Sequence, residues 1–354
     1  MFFTAPYLRA SFHITPRSIT SSILRSRSPQ TKSITQIAAF PARTARTYTM
    51  SAPTTLRVGY VPEHFSTPLH FAVAHSFFTS RNLAVNLLPY PSGTGAMIKS
   101  LDSAELDLAI GLTEGWIASL ANGNDSFKLV GKYVDTPLCW AISSGAERED
   151  VSSAADLEGG KRLGISRIGS GSYVMGYVLA EQNGWLKQGQ EPFEWVILND
   201  FKNLRDAVNK KHTEGKEAEA FMWEHFTSKK YYDSGEIKRI GEIYTPWPSW
   251  HIVAHKSLAE NKEGVATTGA FLEAVDEGVK YFNGHKDEAV EWIAGNLDYS
   301  AEDAREWLKT VEFSKDCKLV EKEVVEKTVS ILKKAAVVKD DKVIVQDMIL
   351  DVNN

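Results

Sequence analysis

The sequence predicts an α/β protein of two lobes with a helical region behind them. Three observations predict it. Short β-rich runs alternate with helical stretches from Leu56 to His255. The alternation passes through a similar order twice, over 56–138 and again over 161–243. Each pass contains a Gly/Ser-rich helix start. Strands alternating with helices imply parallel pairing and a layered α/β structure. The 354 residues, 43% of them apolar, suffice for two such cores.

LRVGYV (56–61) is the first strand. Pro68 then opens a helix over PLHFAVAHSFF, with Leu69, Val73 and Phe77 on one face. LAVNLLPY (83–90) is a strand, SGTGAMIKSL (92–101) a turn running into a helix, and LDLAIGL (106–112) a third strand. A short helix follows it and ends at Gly123. FKLVGKYV (127–134) and LCWAISS (138–144) are two more strands. The second pass has a short helix and a strand within 152–166, then a helix with a glycine-rich start over 169–185. A strand at 193–199 and a helix at 201–211 come next, then strands at 219–224, 237–245 and 249–255. From Ser257 to Asn354 the chain is mostly helical and charged, with helices near 265–283, 286–296, 301–310 and 321–336.

Charge is unevenly placed. The first acidic residue is Glu63, whereas residues 1–49 carry seven bases: Arg9, Arg17, Arg25, Arg27, Lys32, Arg43 and Arg46. Without those seven, 33 basic residues face 45 acidic ones. An acid-free, Arg-rich, Ser/Thr-rich start has the composition of a mitochondrial transit peptide. Arg46-Thr47-Tyr48 resembles a processing site, and Met50 offers an alternative start that would give a cytosolic form. The acidic body argues against nucleic-acid binding. No run approaches the ~18–20 apolar residues of a membrane span. Cys139 and Cys317 lack metal-ligand spacing and read as reduced structural thiols.

In open parallel sheets, ligands bind beyond the carboxyl ends of strands, against helix N-termini. Ser92-Gly93-Thr94-Gly95 lies at such a place: glycine admits a ligand to the backbone, and the free N–H groups of the helix favour an anion. A plain capped turn would look the same. Ser166-Arg167-Ile168-Gly169-Ser170-Gly171-Ser172 holds the corresponding position in the second pass and adds a guanidinium, which can pair bidentately with a carboxylate, sulfonate or phosphate. Trp223-Glu224-His225 ends a strand, where Trp can stack on a ring and Glu can accept from an amine. Thr113-Glu114 ends another and can bind an N–H group or cap the following helix. Pro246-Trp247-Pro248-Ser249-Trp250 stiffens the return to the first lobe, and its two Trp residues can wall a cleft or pack a hinge. His64 follows the first strand and faces the same cleft, while His251 and His255 share a strand face without accompanying metal-binding motifs; no metal is expected.

Arg57-Val58-Gly59-Tyr60-Val61-Pro62, Pro89 to Gly95, Glu105 to Ile110 and Gly164-Ile165-Ser166-Arg167 resemble the type II periplasmic-binding-protein-like family, the binders of nitrate, sulfonates, taurine and thiamine-pyrimidine precursors. The likeness runs from Leu56 to His255 and is nearest to a fungal branch without a transporter. It implies two α/β lobes joined by two crossover strands. Lobe 1 would be 56–142 with 246–354, and lobe 2 would be 143–245. The ligand residues it implies are Glu63, His64, Ser92, Gly93, Thr94, Thr113, Glu114, Ser166, Arg167, Ser170, Ser172, Trp223 and Glu224. The expected partner is an anionic or heterocyclic small molecule, with no cofactor and no transporter. A related fungal thiamine-pyrimidine synthase carries a cysteine cluster that this chain lacks, so a binding role is expected before an enzymatic one. On the enzymatic alternative, His64, Glu224 and His225 would be the acid–base groups. A third alternative is an interaction role for the helical tail.

Overall fold

The structure is a computed structural model that describes residues 52–340 and 342–353; the expected leader and the Met50 start lie outside them. β-branched and aliphatic residues build β1 (Thr54–Tyr60), β2 (Leu83–Pro89), β3 (Leu108–Leu112) and β4 (Phe127–Val134), interleaved with α1 (Thr67–Ala74), α2 (Thr94–Asp102) and α3 (Thr113–Ala121). β5 (Cys139–Gly145) opens the second set. It continues through β6 (Arg162–Ile165), α4 (Gly171–Gln182), β7 (Glu194–Ile197), α5 (Phe201–Val208), β8 (Ala220–Glu224), α6 (His225–Asp233) and β9 (Ile237–Tyr244). β10 (Trp250–His255) and helices α7 (Lys256–Ala259), α8 (Lys262–Gly284), α9 (Lys286–Asn296), α10 (Ala301–Trp307) and α11 (Lys322–Lys334) complete the chain.

The strands form two five-stranded sheets, ordered β2-β1-β3-β10-β4 and β7-β6-β8-β5-β9. The expectation of parallel pairing holds only in part. β1 is parallel to β2 and β3, and β6 to β7 and β8, but β10 is antiparallel to β3 and β4, and β5 to β8 and β9. The two exceptions enter their sheet directly from the other lobe. With no helix to return the chain, they start where the other strands end and run the opposite way.

The crossovers, residues 135–138 and 245–249, lie side by side. Thr245 N–H donates to the Leu138 carbonyl (3.1 Å), Leu138 N–H to Thr245 Oγ1 (2.9 Å), and Ser249 Oγ to the Thr136 carbonyl (2.7 Å). Two short connections tied by few bonds form a natural hinge. Trp247 is buried, its Nε1 donating to Glu114 Oε2 (2.9 Å), and packs the hinge.

The α1 face differs from expectation. Leu69, Phe71 and Ala72 are buried, Val73 is 44% exposed, and the helix stops at Ala74, leaving Phe77 outside it. Ser76, at φ 62°, turns the chain away. The helical tail is part of the first lobe's core: α8 crosses α1 so closely that a Cβ on Gly278 would lie 2.3 Å from the Pro68 carbonyl oxygen. Phe271, Leu272, Phe282 and Trp307 are fully buried there. A 3-10 turn at His64–Ser66 follows β1, and the buried Tyr133 hydroxyl donates to the Phe65 carbonyl within it (2.8 Å). Tyr133→Phe is expected to cost about 1 kcal/mol, read as a lower urea midpoint; an unchanged midpoint would show that this bond does not hold the turn.

Candidate ligand cleft

The carboxyl ends of β1, β3, β6 and β8 and the starts of α2 and α4 surround one cleft. Gly93, at φ 76°, turns the chain into α2, and the buried Thr94 fixes that turn because its Oγ1 accepts from Leu112 N–H (2.9 Å). Ser170 caps α4, its Oγ accepting from Tyr173 N–H (3.3 Å). A side chain at Gly171 would have its Cβ 2.7 Å from the Trp140 ring and 2.8 Å from Leu112 Cδ1, so only glycine lets the start of α4 approach the first lobe. The leading N–H groups of both helices have no acceptor inside their helix.

Arg167 reaches from the second lobe to the first: Nη1 donates to the Ser92 carbonyl (2.5 Å) beside the start of α2. Among the described residues no carboxylate forms an ion pair with it, its Nε is buried without a partner, and burial lowers its pKa. The indole N–H groups of Trp140 and Trp250, also cleft-lining, are likewise buried and unpartnered. Three unmatched donors thus lie beside two helix starts, a chemistry that suits a hydrogen-bond acceptor.

The other part is carboxylic. Glu63, from the first lobe, and Glu224, from the second, both line the cleft. Burial, and then the Glu224 carboxylate, pushes Glu63 up to about 8, although part of the residue faces solvent. Burial pushes Glu224 up to about 7, against the opposing effect of hydrogen bonds; its Oε2 accepts from Thr227 N–H (2.6 Å) and Thr227 Oγ1 (3.0 Å). Carboxyls held near neutrality can accept from, or donate to, a ligand's N–H or ring nitrogen.

Of the residues expected at the ligand, Glu63, Ser92, Gly93, Thr94, Ser166, Arg167, Ser170, Ser172, Trp223 and Glu224 line this cleft. His64, Thr113 and Glu114 do not. His64 is 1% exposed, packed among Phe65, Tyr299 and Trp307, with Nε2 3.8 Å from Glu224 Oε1; burial holds its pKa well below the usual value. Thr113 Oγ1 donates to the Pro248 carbonyl (2.5 Å), and Glu114 is bonded to Trp247, so both serve the return crossover. Burial pushes Glu114 up to about 7. His225 opens α6 and lines a different cavity. His251 is buried against Thr113, and no group of three or more His, Cys, Asp or Glu is gathered as metal ligands among the described residues. Trp140, Leu112 and Leu138 line the cleft without having been expected there. For Trp140 and Leu138 the available signal was their position beside the first crossover; Leu112 ends β3, next to Thr113.

Two lobes, a hinge of paired crossovers and a cleft between strand ends define a protein of the periplasmic-binding-protein-like type II class. The chain belongs to the Ca3427-like family of that class. Its family model matches residues 140–243. The solved Candida albicans CA3427 gene product, described as defining a new family with the generic periplasmic-binding-protein fold, is 44% identical, with 84% of this chain and 96% of that chain covered and a TM-score of 0.78. The periplasmic aliphatic sulphonate binding protein SsuA of Escherichia coli shares the fold at 18% identity, covering 85% of this chain and all (100%) of that chain, with a TM-score of 0.63. SsuA of Xanthomonas axonopodis pv. citri, an alkanesulfonate-binding protein bound to MOPS, does so at 14% identity, with coverage of 86% and 98% and a TM-score of 0.65. No curated protein matches the chain.

Proposed function

We propose that this protein is a small-molecule binder that closes its cleft on an anionic metabolite bearing an N–H-rich or heterocyclic end. The observation that carries the reading is Arg167, without an acidic partner, standing over the start of α2 in the opposite lobe. A sulfonate, carboxylate or phosphate there would meet the guanidinium, the helix starts and the Trp140 and Trp250 indoles. The ring or amine behind it would meet Glu63 and Glu224, with Trp223 as a stacking wall. Aminopyrimidine phosphates, the thiamine-precursor type named by the resemblance, fit that description, as do zwitterionic sulfonates. Binding would draw on both lobes, so closure and affinity are linked.

The test is calorimetry and thermal denaturation of the full chain with MOPS and with a hydroxymethyl-aminopyrimidine phosphate. Saturable one-to-one binding is expected, and ligand at 100 times its Kd should stabilise the fold by about 2.7 kcal/mol. Trp250→Phe should weaken the same ligand by about 1 kcal/mol through the lost N–H. No binding of either probe, nor of simple carboxylates, would reject the reading. Turnover of a bound probe, seen by mass spectrometry, would instead favour an enzyme using the Glu63 and Glu224 carboxyls, which are poised near neutral pH. The basic leader supports import into mitochondria; amino-terminal sequencing of the protein from its native cells, with fractionation, tests this.

A further inference from the structure

A second cavity, of about 250 Å³, adjoins the cleft at the hinge. It shares two wall residues with the cleft, Leu138 and Glu224, and is otherwise lined by different side chains. Cys139, His225, Arg239 and Tyr244 come from the second sheet and its helices, while Phe65 and Trp307 come from the first lobe. A space lined from both bodies changes shape whenever they rotate about the crossovers.

Its chemistry differs from that of the cleft. Phe65, Phe226 and Trp307 supply apolar parts of the wall. Arg239 is already paired with Glu242, so the lining offers no free cation to an anion. Burial lowers the His225 pKa, which favours the neutral ring. Trp307 and His225 each bring a buried ring nitrogen without a partner, Nε1 and Nδ1. Buried polar atoms of this kind are rare unless a ligand or water meets them.

We infer that the hinge cavity is a second small-molecule site, for an uncharged aromatic or heteroaromatic molecule with a hydrogen-bonding group, and that its occupancy is coupled to the cleft through Leu138 and Glu224. The site itself stands independently of the proposed function; the coupling rests on it. An occupant that fixes the separation of Cys139 and Tyr244 from Trp307 biases the lobes toward one hinge angle. It also bears on Glu224, which lines both spaces.

Cys139 provides a reporter. It lines the cavity and is partly exposed, whereas Cys317, the only other cysteine, is buried. Full-length protein is alkylated with iodoacetamide at alkaline pH, with and without indole or benzamide at up to about 10 mM, a range that covers weak fragments. The expected result is saturable slowing of Cys139 alkylation, with weaker protection in Trp307→Phe, which keeps a ring and loses the N–H. An alkylation rate indifferent to both fragments overturns the site. In a second arm, MOPS is titrated in the presence of saturating indole, and its affinity is expected to change about fivefold or more. An unchanged MOPS affinity while Cys139 is protected overturns the coupling. Failure of MOPS to bind at all counts against the proposed function and leaves the alkylation arm to decide the site.

Discussion

Arg167→Ala is expected to weaken binding of a sulfonate such as MOPS by between ten- and a hundredfold. A hydrogen bond to a charged group contributes about 1.5–3 kcal/mol, and 1.4 kcal/mol is one decade in Kd. Three features place this residue toward the upper end. Its guanidinium is partly buried, so solvent screens it weakly. No carboxylate among the described residues forms an ion pair with it, so its charge is available to a ligand. It is also the contact by which the second lobe reaches Ser92. Its loss therefore removes both the proposed anion contact and a bond across the cleft. Arg167→Lys should recover part of the affinity, because it keeps the charge and loses the planar fork. Calorimetry decides: equal affinities for wild type and Arg167→Ala would remove Arg167 from the anion site.

The second large effect is a pH dependence of stability set by Glu63 and Glu224. An unfolded Glu titrates near its ordinary value, about 4.3. In the folded protein burial pushes Glu63 up to about 8 and Glu224 up to about 7. Between these limits the folded protein holds more protons than the unfolded chain, so stability falls as pH rises. The contribution is fully present below about 4.3 and is lost as pH climbs through 7 and 8. Glu114, titrating at about 7, adds to the same trend, while His64 is held neutral by burial. Glu63→Gln should therefore match wild type near pH 5 and exceed it at pH 9, by on the order of 3 kcal/mol. Urea denaturation across that range is the measurement. A wild-type profile that stays flat from pH 6 to pH 9 would mean that the two carboxyls do not share a desolvated cleft.

Much of this fold is legible in the sequence because its signals are local. β4 spans Phe127–Val134, the limits that the apolar run FKLVGKYV sets, and the helix starts at Ser92–Thr94 and Ser170–Ser172 are marked by Gly and Ser with a structural reason for each. α6 escapes notice because its sequence, HFTSKKYYD, has little apolar periodicity; the Glu224 side chain caps it through Thr227 N–H. The cleft was legible where backbone geometry dictates it and obscure where a distant residue decides which way a side chain turns. Glu114 stands at a strand end, level with the cleft, yet a tryptophan 133 positions later captures its carboxylate. Thr113 is drawn aside by the Pro248 carbonyl in the same manner, 135 positions away. No local pattern carries such information. Trp140 and Leu138 illustrate the converse: they reach the cleft because the crossover delivers them there, a property of topology and not of composition.

The place of β10 between β3 and β4 has a consequence for synthesis on the ribosome. The sheet that begins to emerge first stays open at an interior position until residue 255 has left the exit tunnel, whereas the strands at 139–244 form a contiguous unit that is complete earlier. The later-starting half can thus condense while the earlier one waits with β3 and β4 lacking their common neighbour. Nascent chains halted before Trp250 should expose that gap to chaperones, and only release of the last strand closes it.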